Sequence, residues 1–264
     1  MNSYNQERAK TYHRYLGPLV MENAGKLFSS HLALHSVDSI LEIACGTGIL
    51  TNLLSKTFPE ARIVGIDISS EMLHLAKKNV QSPRVSFEIG DAASFDFKSS
   101  FDLVLCQFGY MFFEDHQRFF ENAKKALRPG GKLVFSTWDS LNKNVLFNEV
   151  FQAASQFTQD YIYTAMSHPF EHNNPKKIMT EMHPYFPNAA FRPLAIQLKP
   201  MPFEDLIAGF IEGNILFQEI EKNNPNGFKL LKRMCSKRIK KKFPCYWETE
   251  KGWAWQFEAK KVDI

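Results

Sequence analysis

Cysteine is scarce in this sequence, and the few cysteines follow no pattern of a disulfide framework. The chain of 264 residues has four, Cys45, Cys106, Cys235 and Cys245, and no two of them form a CxxC pair. Two lie within apolar runs, which favours reduced, buried thiols over disulfides. The first ten residues are polar and lack the apolar stretch of a secretory signal. We therefore expect a cytoplasmic protein with free thiols.

Long hydrophobic runs, metal-binding histidine spacing and a large excess of one charge are also missing. No apolar run approaches the roughly 20 residues that span a bilayer, so no transmembrane segment is predicted. The eight histidines show neither HxxH nor HExxH spacing, so no metal site is predicted. With 32 basic and 28 acidic side chains, the net charge of +4 is too balanced to require a nucleic-acid partner.

Positive charge is nevertheless concentrated in one segment, Lys229–Lys242, which holds eight lysines and arginines and no acid. Its interleaved apolar residues fit one face of a surface helix whose other face is solvated. Such a density of cations also fits an anionic membrane surface or a nucleic acid. We expect the solvated helix, with a weak anionic-surface contact as the alternative.

Aromatic residues are abundant: 24 Phe, 8 Tyr and 4 Trp. Many of them crowd into segments 108–120 and 147–210. The simpler interpretation is a Phe-rich core. The alternative is an apolar pocket for a hydrophobic or flat substrate.

The chain between residues 38 and 139 alternates short apolar runs with amphipathic segments. This pattern predicts strands at 39–43, 62–66, 84–88, 101–106 and 131–138, and helices at 49–57, 70–79 and 115–127. Alternating strands and helices with short connections indicate an α/β fold with a doubly wound parallel sheet. The sequence Arg128-Pro129-Gly130-Gly131 predicts a helix stop followed by a turn.

The flanking regions are expected to add helices and to complete the sheet. Residues 4–35 are predicted to be helical, as are 144–157, 202–213 and 225–243, and residues 253–259 alternate like a closing strand. Several X-Pro pairs between residues 140 and 190 indicate loops and short pieces. We predict one domain over residues 1–264 with a mostly parallel seven-stranded sheet. It comprises an N-terminal helical cap (1–37), a cofactor-binding core (38–139) and a cap insertion with closing strands (140–264).

The most informative stretch is the apolar run that ends in Gly46-Thr47-Gly48, followed about twenty residues later by Asp67. This layout is typical of an adenosine-cofactor pocket at the carboxyl ends of parallel strands. A dinucleotide fold needs a third small residue where Thr51 stands, and Glu42 would repel a pyrophosphate. A carboxylate near the turn instead suits a cofactor with a positive group. The pattern favours a cationic adenosine ligand over NAD.

The chain resembles the class I S-adenosylmethionine-dependent methyltransferases, on five ordered motifs over residues 40–138. Ile40–Gly48 looks like their first motif, with Ala44 in place of the first glycine. Asp67 matches the acid that ends the second strand, and Gly90-Asp91-Ala92 matches the turn after the third. Phe101–Gln107 and Ala126–Leu133 resemble the fourth strand and the signature that follows it. Gln107–Asp115 is similar to a subgroup that acts on small molecules, with Glu114 in place of a proline.

The resemblance implies a set of cofactor-binding residues. Asp67 would bind the ribose hydroxyls, Ile68 and Met72 would pack on the adenine, and Asp91 with the next amide would bind the adenine edge. The full expected set is Tyr12, Glu42, Ala44, Cys45, Gly46, Thr47, Gly48, Asp67, Ile68, Met72, Asp91, Ala92, Gln107 and Phe108.

Several of these residues have a structural alternative. Glu42 could buttress the turn, Asp67 could cap a helix and Asp91 could end a strand. Gln107 could cap the fourth strand, and Tyr12 could be a core aromatic.

The expected activity is transfer of a methyl group from S-adenosylmethionine to a small-molecule or lipid-like acceptor by in-line displacement, with S-adenosylhomocysteine as product. No residue is assigned as a catalytic base. The fourth strand ends in Cys106-Gln107-Phe108-Gly109 and lacks the Asn/Asp-Pro-Pro-aromatic pattern of enzymes that methylate DNA amines. A cofactor-binding regulator or scaffold without transfer activity is the alternative, and an NAD-dependent oxidoreductase is a weaker one.

Overall fold

The computed structural model describes residues 5–32, 37–98, 100–155, 167–212, 224–243 and 250–262. Its centre is a seven-stranded sheet in the order β3-β2-β1-β4-β5-β7-β6. Strands β1 to β5 pair in parallel, and β7 runs antiparallel to both of its neighbours, β5 and β6. The prediction of a mostly parallel, doubly wound seven-stranded sheet is confirmed.

The strands are β1 Ser39–Ile43, β2 Arg62–Asp67, β3 Val85–Ile89, β4 Phe101–Gln107, β5 Leu127–Trp138, β6 Ala190–Gln197 and β7 Lys251–Lys260. The α-helices are α1 Gln6–Thr11, α2 Glu22–Ser30, α3 Ile49–Thr57, α4 Ser70–Asn79, α5 His116–Ala126, α6 Val145–Ala154, α7 Pro175–Met182, α8 Phe203–Ile207 and α9 Pro225–Lys242. π-Helical segments span Tyr12–Met21 and Ala208–Glu212, and 3-10 turns span Tyr110–Phe112 and His168–Phe170.

Local sequence explains the helix starts in the core. The Ser69 hydroxyl accepts the Met72 amide at 3.3 Å and caps α4, and the Asp115 carboxylate accepts the Arg118 amide at 2.9 Å and caps α5. These caps place the helix starts within one residue of the predicted positions.

The predicted turn at Arg128–Gly131 is wrong in detail, because β5 begins earlier, at Leu127. Phe101 pairs with Leu127, whereas Leu103 pairs with Lys132, so β5 carries extra residues that bulge out of the ladder. Gly130 supplies the left-handed backbone of this bulge, with φ at 76°.

The region between residues 140 and 190 is more regular than its X-Pro pairs indicated. The Asn174 side chain caps α7 by accepting hydrogen bonds from two backbone amides. Pro175 occupies the first helical position, where a backbone N–H would have no partner within the helix, so the missing N–H costs nothing. The predicted helix 144–157 ends at Ala154, and residue 157 lies outside the described residues.

The N-terminal region forms three consecutive helical pieces where a single helical run was predicted. The central piece, Tyr12–Met21, is π-helical and contains Pro18. Leu16, Leu19 and Val20 are buried in a cluster shared with the cap. The ends of the predicted run, residues 1–4 and 33–36, lie outside the described residues.

Helix α9 confirms the expected amphipathic surface helix. Phe228, Leu231, Cys235 and Ile239 are buried in the cap cluster with residues of α6. Of its cations, Lys232 pairs with Glu212, and Arg238 lies 2.9 Å from Glu149. None of the helices in the described ranges has the length and apolar character needed to cross a membrane.

Candidate cofactor site

The loop between β1 and α3 adopts a left-handed backbone at three positions. φ is 55° at Ala44, 55° at Gly46 and 78° at Gly48. Glycine takes this conformation without cost, whereas alanine is strained in it. This explains why the related motif has glycine at the position of Ala44.

The two glycines of the loop serve different purposes. A Cβ on Gly48 would lie 3.0 Å from the Val80 side chain and 3.2 Å from Ala76, so Gly48 permits close packing against α4. A Cβ on Gly46 would meet nothing within 4 Å. The space beside Gly46 is therefore open to a ligand.

Glu42 is a buried carboxylate beneath this loop. Its side chain is 2% exposed, and its Oε2 accepts a 2.6 Å hydrogen bond from the Thr51 hydroxyl. The pKa of Glu42 is raised to about 8, mainly by burial and also by the nearby Asp67, while the hydrogen bond from Thr51 opposes the shift. Thr51, which stands where a dinucleotide motif has a small residue, is thus the partner of Glu42.

Asp67, at the end of β2, holds the loop from the other side. Its Oδ2 accepts the Gly46 amide at 2.8 Å, and its Oδ1 accepts the Ser69 amide at 2.9 Å. Burial raises the pKa of Asp67, while these amides act in the opposite direction. Ser69 caps α4, so Asp67 is not needed for that purpose, and with the amides of Gly46, Ser69 and Ile68 bound its carboxylate still has acceptor capacity for a ligand.

Two further loop residues point away from solvent. Cys45 is 5% exposed, and burial raises its pKa well above the ordinary thiol value, so it serves packing. Thr47 is 2% exposed; its hydroxyl lies 2.9 Å from His13 Nδ1, and its carbonyl accepts the Asn79 side-chain amide at 3.0 Å.

The residues expected at the adenine differ in exposure. Ile68 is 61% exposed, which is unusual for a large apolar side chain and leaves it available to a flat ligand. Met72 is instead buried in a small cluster with Ala9 and Leu75, against which Tyr12 packs. Contact between Met72 and a ligand would therefore occur beneath the N-terminal helices.

Asp91 and Ala92 form the turn that follows β3. Asp91 is exposed, and its Oδ1 accepts the Ala93 amide at 2.8 Å. Ala92 is buried, and its carbonyl lies 3.4 Å from the Asn122 side-chain amide. Asp91 thus closes a local turn and keeps its other oxygen free of any bond in the described structure.

The end of β4 carries Gln107 and Phe108. The Gln107 amide donates to the Met21 carbonyl at 3.2 Å, but its buried Oε1 has no partner in the described structure. Phe108 has φ at 55° and stacks on Trp138, with ring centroids 4.0 Å apart. A non-glycine residue in this conformation is strained, and such strain concentrates at functional sites.

The crowded aromatics support the simpler interpretation, a Phe-rich core. Beyond Trp138 a chain of ring contacts runs through Phe147, Phe170 and Phe210, with centroids 4.8–6.1 Å apart. Trp138, Phe170 and Phe210 are buried, so these rings fill one another's space.

Sequence reasoning missed the polar partners of the site. His13 and Asn79 both contact Thr47, yet they lie 34 and 32 residues from it along the chain. No local pattern could have paired them. Thr51 carried a usable signal, because it lies in the first turn of α3, directly after the loop.

A second polar cluster joins the cap to the end of β4. Tyr110 donates to Glu181 Oε2 at 2.7 Å, and His116 Nδ1 lies 3.2 Å from the same oxygen. His172 packs edge-on to His116, and its pKa is lowered by burial and by the other histidines. No group of metal-binding side chains was found among the described residues.

Known proteins resemble this chain in sequence and in fold. A model of the methyltransferase domain family matches residues 40–131. The malonyl-[acyl-carrier protein] O-methyltransferase of Priestia megaterium is 35% identical over 158 residues, covering 57% of this chain and 54% of that protein. The demethylmenaquinone methyltransferase of Deinococcus radiodurans is 37% identical over 103 residues, covering 38% and 43%. The chain thus matches about half the length of these curated relatives.

A solved structure extends the likeness beyond the matched core. Haemonchus contortus phosphoethanolamine N-methyltransferase 2, in complex with phosphomonomethylethanolamine and S-adenosylhomocysteine, superposes with a TM-score of 0.63 at 17% identity. The match covers 98% of this chain and 58% of that one, and at this identity it shows the fold alone. Residues 40–131 therefore match a methyltransferase domain, and the chain has the fold of this solved methyltransferase.

Proposed function

We propose that this protein binds S-adenosylmethionine at the carboxyl ends of β1 and β2 and transfers its methyl group to a small-molecule or lipid-linked acceptor. The observation that carries the proposal is the pair of acidic side chains, the buried Glu42 and the partly buried Asp67, on either side of a glycine-rich loop that is open at Gly46. A pyrophosphate would be repelled there, whereas a cationic ligand would be attracted.

The residues present fit this cofactor. Glu42 would attract its positive charge, and Asp67 has acceptor sites left for ribose hydroxyls. The adenine would be held by the exposed Ile68, the buried Met72 and the turn of Asp91 and Ala92. Gln107 offers an unpartnered buried oxygen on the neighbouring strand, and strained Phe108 follows it.

S-Adenosylmethionine supplies an electrophilic methyl on a sulfonium, so the protein mainly needs to orient the acceptor. Proximity and orientation can supply roughly 7–11 kcal/mol of rate acceleration in favourable cases. Closure of the N-terminal helices and the cap over the site would exclude water and strengthen the electrostatics. We assign no catalytic base, because only an acceptor that keeps its proton near neutral pH requires one.

The names of the relatives guide the choice of acceptor. One acts on malonyl-[acyl-carrier protein] and another on demethylmenaquinone, so acceptors on a carrier and apolar acceptors both merit testing. We also propose a cytoplasmic location, in keeping with the free thiols of Cys45, Cys106 and Cys235. A weak contact of Lys229–Lys242 with an anionic surface belongs to this proposal.

Two alternatives make different predictions. A regulator or scaffold would bind the cofactor without turnover, and an NAD-dependent oxidoreductase would prefer NADH. Incubation with S-adenosylmethionine carrying a labelled methyl, against acyl-carrier thioesters, quinols and small acids, tests the regulator, and titration with NADH against S-adenosylmethionine tests the oxidoreductase. Labelled product from any acceptor supports the proposal. Tight cofactor binding with no product from any acceptor class supports the regulator.

A further inference from the structure

The N-terminal helices meet the glycine-rich loop through a small polar contact that none of the sequence motifs includes. His13, in the π-helical segment, points its Nδ1 at the Thr47 hydroxyl at 2.9 Å and at Asn79 Nδ2 at 3.3 Å. Asn79, the last residue of α4, also donates from Nδ2 to the Thr47 carbonyl at 3.0 Å. Three elements that are distant in sequence are thus joined at Thr47.

The hydrogen-bond chemistry fixes the state of the histidine. Because the Thr47 carbonyl can only accept, the Asn79 atom that contacts it must be the NH₂ group. The same NH₂ faces His13 Nδ1, so that ring nitrogen must be an acceptor, and the proton lies on Nε2. The Thr47 hydroxyl, which is nearer, can then donate to Nδ1, and the longer contact from the Asn79 NH₂ shares the same lone pair. A neutral imidazole fits this site, whereas an imidazolium would direct an N–H at the NH₂.

The N-terminal helices also pack closely against the elements around this contact. A Cβ on Gly17 would lie 3.0 Å from Ile49, the first residue of α3. A Cβ on Gly25 would lie 3.3 Å from the Gln107 oxygen, and Gln107 in turn donates to the Met21 carbonyl. The polar contact therefore lies within an interface that reaches both the loop and the end of β4.

We propose that His13 is a positioning residue, which fastens the N-terminal helices to Thr47 and Asn79 and thereby sets the glycine-rich loop for cofactor binding. This inference rests on the proposed function for its cofactor readout but not for its loop readout. His13 acts through Thr47 and is not a catalytic residue.

The contact should weaken in acid. Burial lowers the pKa of His13, and Glu22 in α2, the charged side chain that acts on the ring within the described structure, raises it less. Thr47 and Asn79, which face the ring from the loop and from α4, do not titrate. Because the docked state disfavours the proton, docking is strongest above the ordinary histidine pKa of about 6.5 and is lost as the pH falls toward the lowered value.

The test compares wild type, His13→Ala, His13→Gln and a matched control, His74→Gln, which changes an exposed histidine of α4. Amide hydrogen exchange of the protein without ligand is followed over residues 12–21 and 44–49, and S-adenosylhomocysteine binding is titrated calorimetrically at pH 5.5 and pH 8. At pH 8 we expect His13→Ala to bind roughly tenfold more weakly and to exchange faster in both segments. His13→Gln, whose side-chain oxygen can accept, should recover part of both and lose the pH dependence.

The two readouts keep the inference separate from the proposed function. If His13→Ala exchanges like wild type and like His74→Gln in both segments, the positioning role is wrong. Unchanged S-adenosylhomocysteine affinity in His13→Ala would overturn it equally. If no variant binds S-adenosylhomocysteine, wild type included, the proposed function fails, while faster exchange in His13→Ala alone would still support the fastening of the helices to the loop.

Discussion

The glycine-rich edge of the sheet and the aromatic cap are built on opposite principles. At the edge, the acid Glu42 is buried, Ala44 is held in a strained backbone, and space is left open beside Gly46. In the cap, Phe147 and Phe210 fill the available space with ring contacts 4.8 Å apart. The edge is preorganised for a ligand at a cost in stability, whereas the cap contributes stability and leaves little room. We therefore expect changes at the edge to alter cofactor affinity and changes in the cap to alter mainly the stability of the fold.

Truncating a cap ring should give the largest effect and should spare the edge. Phe210→Ala removes a side chain that is 3% exposed, so we expect a loss of about 3–5 kcal/mol in the free energy of unfolding. Affinity for S-adenosylhomocysteine should stay within about twofold as long as the protein is folded. Urea denaturation and calorimetric titration measure the two quantities.

Phe191→Ala is the matched control, because Phe191 is 38% exposed and should cost little. If Phe210→Ala abolished cofactor binding under conditions where the protein is folded, the separation between edge and cap would be wrong.

Replacing Glu42 should have the opposite effect, a large loss of cofactor affinity. Glu42→Gln keeps a group that can bond to Thr51 but cannot become a carboxylate when the cation binds, so cofactor affinity should fall by roughly 30- to 100-fold, about 2–3 kcal/mol. Glu88→Gln makes the same change at an exposed position of β3 and should leave affinity unchanged. Equal affinity of wild type and Glu42→Gln would remove Glu42 from the site.

The same variant should change how stability depends on pH. Because the pKa of Glu42 is raised to about 8 in the folded protein, its contribution is fully present below its ordinary pKa near 4.5 and is lost as the pH rises through about 8. Urea denaturation without ligand at pH 6 and pH 8.5 should show a smaller decrease for Glu42→Gln than for wild type. An identical decrease would contradict the raised pKa.

Charge reversal on the solvated face of α9, which lies outside both the glycine-rich edge and the packed interior of the cap, should have a smaller effect. Arg233→Glu with Lys237→Glu should lower partitioning onto phosphatidylglycerol vesicles, since each cation contributes about 1 kcal/mol near such a surface. Lys77→Glu with Lys78→Glu applies the same charge change to exposed positions of α4. If both pairs reduced partitioning equally, net charge alone would explain it.

Relieving the strain in the loop should give the smallest effect. Ala44→Gly should raise the free energy of unfolding by roughly 0.5–1 kcal/mol, because glycine adopts φ at 55° without strain. Ala123→Gly, in the interior of α5, should instead destabilise by a similar amount or more. Urea midpoints compare the two, and a destabilised Ala44→Gly would show that the loop is not strained at this position.

How far the sequence predicts this structure depends on how local the determinants are. Strand β1 and helix α4 are predicted within a residue, because an apolar run and a Ser69 cap specify them. The sequence pattern does not locate strand β6, because Pro193 interrupts the alternation of its residues. Proline is tolerated there because β6 is the edge of the sheet and pairs only with β7 within the described ladder.

The site shows the same division. Glu42 and Asp67 follow from motif spacing, and the structure adds what each one bonds to. The contacts of His13 and Asn79 with Thr47 depend on how whole helices pack, and no short pattern encodes them.

The most direct test of the claim that this site binds a cationic ligand is calorimetric titration at pH 7 with S-adenosylmethionine and, separately, with NADH. Each titration is carried out in two buffers of different ionisation enthalpy. At this pH Glu42, with a pKa of about 8, is mostly protonated. A bound cation favours the carboxylate. The account predicts preferential binding of S-adenosylmethionine with release of up to about one proton, and loss of that release in Glu42→Gln. Tighter binding of NADH, or S-adenosylmethionine binding with no proton release, would contradict it.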